Sequence, residues 1–522
     1  MKKGIKILAL TVALASVFSS AVFAMPDNKA ATGPGLSRQE TPVQTEAPAG
    51  ASKELTPEAP SPVGNSQASL AKPVMQAIDS GSNGPVTVDP ILGLVPDVHV
   101  QFKTGDGNLT DGFTTNTDMF TSPLDGFCGL KCRFENCIGD VFYRVHTEEH
   151  GWSRWAMNEM DTDWFNDAAK VTAVQLRIKG HTRNLYDLYY RVVLEDGTAL
   201  DWAHDGQTSG TIGTGHYIQK MQVMLWKHGM AFGQSTQRYF LGANYEGLTL
   251  DGSGYPHYQT ASGAAYTGWA YDTDNNKYYF ADSNPVTGWQ DIGGYRYYFD
   301  DKGRVVTDLE PVMGLTGSYI IKVNKDMKTM TVFTKNPDTG EFNVPYKVFL
   351  CTIGSSTPTG TFKTYEPHRW KFMHDDIYVQ YLLRYKDSGF CIHSIIYQPA
   401  EGSYNLVAST YNQLGKNYSD GCIRLLSGDA AWLYNNCGAG TQLTIYNDYW
   451  VMGPFDRPAI EQGIPMGQRY DPTDPVVISD MTNHTGPFAG GSYNGTGYET
   501  PYSNAEAAAS ANAALVAETP VG

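Results

Sequence analysis

Ser419-Asp420-Gly421-Cys422-Ile423-Arg424, read together with Ile392-His393-Ser394 upstream, decides more about this 522-residue chain than any other stretch. A cysteine directly behind a glycine, with a histidine on a neighbouring strand-like segment, is what thiol acyl transfer requires. The thiolate attacks and the imidazole moves protons. The pattern predicts a chain that makes and breaks acyl bonds.

Working outward, the flanking residues alternate apolar and polar side chains. Residues 319–324 and 329–333 alternate around a turn at Asp326, residues 346–352 follow, and 379–383, 390–397 and 442–446 read the same way. Such alternation predicts half-buried strands. One helix is expected at 428–435, directly after the cysteine loop. The fold class is therefore a mostly β multidomain chain: a β-rich catalytic domain with a short helix, preceded by β repeat modules and a disordered linker.

Four blocks in this order, Thr357-Pro358-Thr359-Gly360-Thr361-Phe362, Ile392-His393-Ser394, Ser419 to Arg424, and Gly440-Thr441-Gln442-Leu443, resemble the successive blocks of the L,D-transpeptidase catalytic domain, the YkuD family. The resemblance assigns the domain to residues 316–447. It implies that Cys422 is the nucleophile and His393 the proton donor and acceptor. It further implies that the backbone at Gly421 serves the oxyanion and that Ser394, Ser419 and Asp420 line the substrate. Arg424 is offered as a site-shaping or carboxylate-holding residue, with a structural salt bridge as the equal alternative. Family enzymes attack the L,D peptide bond of a peptidoglycan stem, hold an acyl-thioester and pass it to an amine of a second stem, which gives a 3→3 cross-link. An L,D-carboxypeptidase, with water as acceptor, and a wall-binding protein without turnover are the alternatives. Two departures stand out. The position before Gly421 is usually histidine and here is Asp420, which would raise the pKa of a neighbouring thiol unless it turns away. The His393–Cys422 spacing is also long, with an insertion through Glu401, Gly402 and Tyr404 that should change access rather than chemistry.

The other cysteines read differently. Cys351, Cys391 and Cys437 fall among apolar residues, where packing is the default and a disulfide an option. Cys128, Cys132 and Cys137 crowd one stretch without paired metal-ligand spacing, so one disulfide or reduced packing thiols are expected rather than a metal. No metal or nucleotide motif occurs, and no cofactor is expected.

Lys2, Lys3 and Lys6 ahead of an apolar run ending at Ala21-Val22-Phe23-Ala24 form a secretory signal pattern over 1–24, with no later transmembrane segment. Residues 25–95, rich in Pro, Ala, Ser and Gly, are expected to be a disordered linker. The net charge of −16 argues against nucleic acid and other polyanions as partners. Peptidoglycan stem peptides and a wall polymer fit better, in a secreted, wall-associated protein.

Between linker and catalytic domain lie two kinds of repeat. Tyr143-Arg144-Val145, Trp155 and Gln175 return at a constant 47 residues as Tyr190-Arg191-Val192, Trp202 and Gln222. Residues 96–235 resemble two clostridial hydrophobic-tryptophan repeats. In 236–310, Thr267-Gly268-Trp269 with Tyr278-Tyr279-Phe280 returns as Thr287-Gly288-Trp289 with Tyr297-Tyr298-Phe299, resembling choline-binding-type wall repeats built of stacked hairpins. Trp155, Trp202, Trp269 and Trp289 are the wall-binding candidates. For Trp155 and Trp202 a core-anchor role is favoured over sugar stacking, and for the hairpins a spacer role is as well supported as binding. Residues 448–522 are expected as a largely irregular extension, with disorder or a frayed helix from 482 onward.

Overall fold

Alternation along the chain produces strands almost throughout, and the computed structural model describes residues 86–113, 120–121, 126–162, 168–387, 389–416, 419–449 and 453–488. The expected signal segment, residues 25–85 of the expected linker and the end from 489 lie outside the described residues.

The first module is built from three antiparallel pairs: β1 (Asp97–Lys103) with β2 (Gly129–Glu135), β3 (Asp140–Thr147) with β4 (Val171–Lys179), and β5 (Tyr186–Leu194) with β6 (Ile218–Lys227). Their inner faces meet in one core that includes Phe102, Phe127, Tyr143 and Tyr190. The 47-residue repeat is a repeat of bonds. Arg144 Nε donates to Gln175 Oε1 at 2.7 Å, and Arg191 Nε to Gln222 Oε1 at 2.9 Å. Asn158 Oδ1 accepts from Val141 N at 3.0 Å, and Asp205 Oδ1 from Leu188 N at 3.1 Å.

A third copy precedes these two and was not expected. The bridges Val100↔Phe113 and Lys103↔Leu109 recur 90 residues later as Tyr190↔Ala203 and Val193↔Ala199. Gln101 occupies the place of Arg191, and Gly112 that of Trp202. A Cβ at Gly112 would lie 2.5 Å from the His99 ring, so no tryptophan fits there.

The second module contains three hairpins where two were expected: β7 (Gly247–Leu250) with β8 (Pro256–Gln259), β9 (Gly268–Tyr271) with β10 (Lys277–Ala281), and β11 (Gly288–Ile292) with β12 (Tyr295–Phe299). A lone hairpin cannot bury a core. Here aromatics pass from one hairpin to the next: Tyr258 stacks on Tyr266 at 3.6 Å, and Trp269 packs against Tyr297 at 5.2 Å.

The catalytic region holds two sheets. The first has the order β15 (Val344–Leu350), β14 (Thr329–Thr334), β13 (Tyr319–Asn324), β21 (Gln442–Tyr446), β16 (Gly360–Lys363). The second runs β17 (Tyr365–Phe372), β18 (Tyr378–Lys386), β19 (Phe390–Ser394), β20 (Ile423–Leu425). Helix α1 (Ala408–Asn412) lies in the crossover between β19 and β20, and α2 (Ser427–Asn436) follows β20. Ile321, Leu383, Ile392, Ile423 and Leu443 bring both sheets and α2 into one core.

Two segments expected to be loose are tied down. The end of the supposed linker, from Val86, is docked: Asp89 is buried beside His181, and Thr87 N donates to Tyr186 Oη at 3.2 Å. Residues 453–488 carry little regular structure beyond α3 (Pro475–Asn483), as the sequence suggests, yet they form a buried strap. Phe455 enters the hairpin aromatics. Asp456 meets Lys277 Nζ at 2.8 Å and Arg177 Nη2 at 3.5 Å, which joins both repeat modules. Asp471 caps α2 by accepting from Ser427 N at 2.7 Å, and Asp474 accepts from Gln380 Nε2 at 2.7 Å. Isolated apolar anchors such as Ile460, Ile464 and Val477, together with side-chain ion pairs and hydrogen bonds, hold the strap.

Candidate active site

Strands β19 and β20 run parallel with Ile392 opposite Ile423 and His393 opposite Arg424. Paired residues of parallel strands point to the same side, and successive ones alternate. Ile392 and Ile423 therefore enter the core, while Cys391 beside Cys422 and His393 beside Arg424 share the opposite face. Of the seven cysteines, all free thiols, only Cys422 is not fully buried. The disulfide considered for Cys128, Cys132 and Cys137 is absent, and these three pack as buried thiols.

The loop that presents Cys422 is clamped from beneath. Thr357 Oγ1 accepts from Gly354 N at 3.0 Å and donates to Gly421 O at 2.9 Å, and Tyr385 Oη donates to the same carbonyl at 3.3 Å. Ser419 Oγ donates to Cys422 O at 2.7 Å and accepts from Gly421 N at 3.3 Å. Ser419 thus shapes the loop, and the Gly421 N–H is already engaged. Gly354 carries a requirement the sequence reading missed: a Cβ there would sit 2.0 Å from Ser419 O, so only glycine lets the two backbones meet. Its signal was the Gly-Ser-Ser-Thr-Pro turn, which looks like any other turn until the partner strand is known. Gly421, at φ +151°, would place a Cβ 2.5 Å from the Phe390 ring.

His393 is 3% exposed, and its Nδ1 lies 2.6 Å from Ser394 O. A carbonyl only accepts, so Nδ1 carries the hydrogen and Nε2 of the neutral ring is left to take a proton. Cys422 Sγ lies 3.6 Å from Gly389 O, and Cys391 and His393 act on it electrostatically. The S–H of Cys391 holds the Cys422 thiol well below the ordinary thiol range, against the opposing effect of burial, and His393 adds to it. Cys391 is pushed up by the Cys422 sulfur and by its own burial and keeps its proton. Cys391, expected as a packing residue, is thus part of the site.

Asp420 is exposed, and its charge acts on Arg424. The expected like-charge effect of Asp420 is not among the main influences on Cys422, which are Cys391, burial and His393. Burial weakens the Arg424 guanidinium's hold on its proton, which Cys422 and Asp420 counter. Its Nε has no partner among the described residues, and the side chain lines a cavity of about 540 Å3 with Ile377, Ile396, Val407 and Gln413. Gln398, Val407 and the residues in and after α1 supply one wall of that cavity, and Leu92, Leu94 and Ile138 another; Glu401 to Tyr404 do not line it.

Ser394 does not fit its expected substrate-lining role. It is 0% exposed, donates to Ile395 O at 2.7 Å and accepts from Gln380 N at 3.0 Å, so it fastens β18 to β19. The four tryptophans also differ from open binding platforms. Trp202, 2% exposed, is a core anchor under Arg191, whose guanidinium lies 4.8 Å from the ring centroid. Arg144 and Arg177 flank Trp155 at 4.9 and 4.8 Å, Lys277 covers Trp269 at 4.5 Å, and Arg296 approaches Trp289 at 5.6 Å. Each ring carries a cation from this chain where a quaternary amine would sit.

Comparison with known proteins agrees with the local geometry. Residues 318–445 match the family model of YkuD, the L,D-transpeptidase catalytic domain. No curated protein matches the chain. Among solved structures, a fused Zn-dependent amidase/peptidase/peptidoglycan-binding-domain protein from Clostridium acetobutylicum is 23% identical, over 25% of this chain and 52% of its own, at a TM-score of 0.18. An L,D-transpeptidase from Mycobacterium smegmatis is 20% identical over 25% and 58%, at 0.20. L,D-transpeptidase 3 from Mycobacterium tuberculosis is 22% identical over 25% and 61%, at 0.19. The chain thus spans between about half and three-fifths of these proteins' lengths, and the scores are too low to carry an argument. What the family match and the site share is a single conclusion: the chain carries a YkuD L,D-transpeptidase catalytic domain at 318–445.

Proposed function

We propose that this protein is an exported, cell-wall L,D-transpeptidase that forms 3→3 peptidoglycan cross-links through an acyl-thioester on Cys422. The observation that carries the reading is the pairing of the one incompletely buried thiol with His393, whose Nδ1 is committed to Ser394 O.

In the proposed cycle the Cys422 thiolate attacks the carbonyl of the L,D peptide bond of a donor stem. His393, protonated at Nε2, gives that proton to the departing D-amino acid amine, and the stem remains as a thioester. The amine of an acceptor stem then attacks, His393 Nε2 takes its proton, and the thiolate leaves. Imidazole serves as acid and base in turn. Arg424, with Nε unpartnered at a cavity wall, is suited to hold a carboxylate of a stem.

The repeat modules and strap support the catalytic sheets, and wall attachment through them is part of the proposal. Tethering to an immobile polymer raises local concentration without a new contact in the site. Because the tryptophan faces hold internal cations, a wall ligand would be recognised elsewhere on these modules than by cation capture. Among the described residues no helix is long and apolar enough to cross a membrane.

Incubating the full chain with disaccharide-tetrapeptides and analysing products by mass spectrometry tests the reading. Cross-linked dimers are expected. Trimmed monomers alone would favour hydrolysis, and unchanged substrate would remove the enzymatic reading.

A further inference from the structure

Beyond the acyl chemistry, the active face holds a second thiol, Cys391, that takes no covalent part in the transfer cycle. The register Ile392↔Ile423 brings Cys391 of β19 beside Cys422, the residue that leads into β20. Neighbouring strands lie about 4.8 Å apart, which is inside the Cα separation of roughly 4.4–6.8 Å that a disulfide spans. Both side chains face the same side. Their sulfurs point at one acceptor, Gly389 O, with Cys391 Sγ at 3.3 Å and Cys422 Sγ at 3.6 Å. Val379, Leu382, Met373 and Ile377 surround the pair and give it an apolar wall.

We propose that Cys391 and Cys422 form an oxidant-responsive thiol pair, in which hydrogen peroxide converts the two thiols to a disulfide that shields and reversibly silences the nucleophile.

The chemistry balances in two steps. The Cys422 thiolate attacks peroxide, the O–O bond breaks, and Cys422 becomes a sulfenic acid with release of hydroxide. The Cys391 sulfur then attacks the sulfenyl sulfur, the S–O bond breaks, and a second hydroxide leaves; the Cys391 proton and the proton held by His393 convert the two hydroxides to water. In sum two thiols and one peroxide give one disulfide and two waters. The pair divides the labour that such a trap needs: the reactive thiolate on the half-exposed residue, and a protonated resolving thiol, 1% exposed, behind it. A resolving sulfur held in contact competes with further oxidation because its attack is intramolecular.

Disulfide formation is independent of the function proposed above; only the loss of transfer activity rests on it. The test therefore reads covalent state first. The reduced full chain is treated with a small molar excess of hydrogen peroxide, residual thiols are blocked, and peptides are mapped by mass spectrometry. Expected is a Cys391–Cys422 linked peptide that has lost two hydrogen atoms and is restored by dithiothreitol. In Cys391→Ser the same treatment should add two or three oxygens to Cys422, on the order of tenfold more than in the unaltered chain, without recovery. If the unaltered chain instead accumulates sulfinic acid at Cys422 with Cys391 still open to alkylation, or if the bridge joins another pair, the proposal is overturned. The mapping on the unaltered chain decides the matter even if Cys391→Ser folds poorly. Loss and recovery of cross-linking measured in parallel distinguishes failure of the thiol pair from failure of the transpeptidase reading.

Discussion

The tryptophan module and the catalytic sheet use the same alternation of side chains but treat their polar groups differently. In the module Arg144 and Arg191 each meet a glutamine and lie near a tryptophan ring, at the same spacing. On the active face Arg424 leaves Nε unpartnered at a cavity, and the sulfurs of Cys391 and Cys422 lie side by side near Gly389 O. Unpartnered polar atoms occur in both regions; Arg177 of the module also lacks a hydrogen bond at Nε and Nη2, but it is 1% exposed and lies 3.5 Å from Asp456, whereas Arg424 lines a cavity.

That contrast can be broken at its strongest point first. Cys422→Ala should lower cross-linking by at least about 10⁴-fold while leaving the thermal midpoint unchanged, as followed by product assay and calorimetry. A large loss of stability in this variant would mean the thiol is a core group.

Asp456→Ala does the reverse. It strands Arg177 and Lys277 in the interior and should cost about 3–5 kcal/mol, with residual activity per folded molecule retained. Burial alone would raise this carboxyl, but Lys277 and Arg177 hold it well below the usual carboxylate range. Because the folded value is depressed, its stabilisation is complete above the ordinary carboxylate range and is lost as pH falls through the folded value. Denaturant unfolding across acid pH should show a slope in the unaltered chain that Asp456→Ala lacks.

Gly354→Ala pushes a methyl into Ser419 O and so moves the cysteine loop without touching substrate. A fall in kcat of about 10²-fold, with a stability loss of about 1–3 kcal/mol, is expected from kinetics and melting. Smallest are Gln175→Ala and Gln222→Ala, each about 1.5–3 kcal/mol because a buried guanidinium loses its acceptor. Equal costs in the two copies would confirm that the repeat is one of bonds.

How far the sequence reached follows from where its signals lie. The thiol and the imidazole sit in short contiguous words and were singled out for that reason, the strands at 319–324 and 442–446 alternate cleanly and form as expected, and Thr357 stood in one of the four blocks although its clamping role could not be read. Cys391 was taken for packing because its neighbour Cys422 is brought to it only by parallel pairing across a long crossover. The first module copy was hidden because Gln101 and Gly112 replaced the anchoring arginine and tryptophan while the backbone bridges persisted. Ser394 looked like part of a motif, but strand alternation turns it inward. The strap at 453–488 was missed because its ties reach far along the chain, from Asp456 to Arg177 and from Asp471 to Ser427.

The central claim is that Cys422 exists as a thiolate sustained by Cys391 and His393, and alkylation measures it directly. With limiting iodoacetamide on the native, reduced chain, Cys422 should be labelled first, at a rate nearly constant from about pH 8 to about pH 5. A rate that falls about tenfold per pH unit over that range, as for an ordinary thiol, or labelling led by another cysteine, would contradict the account.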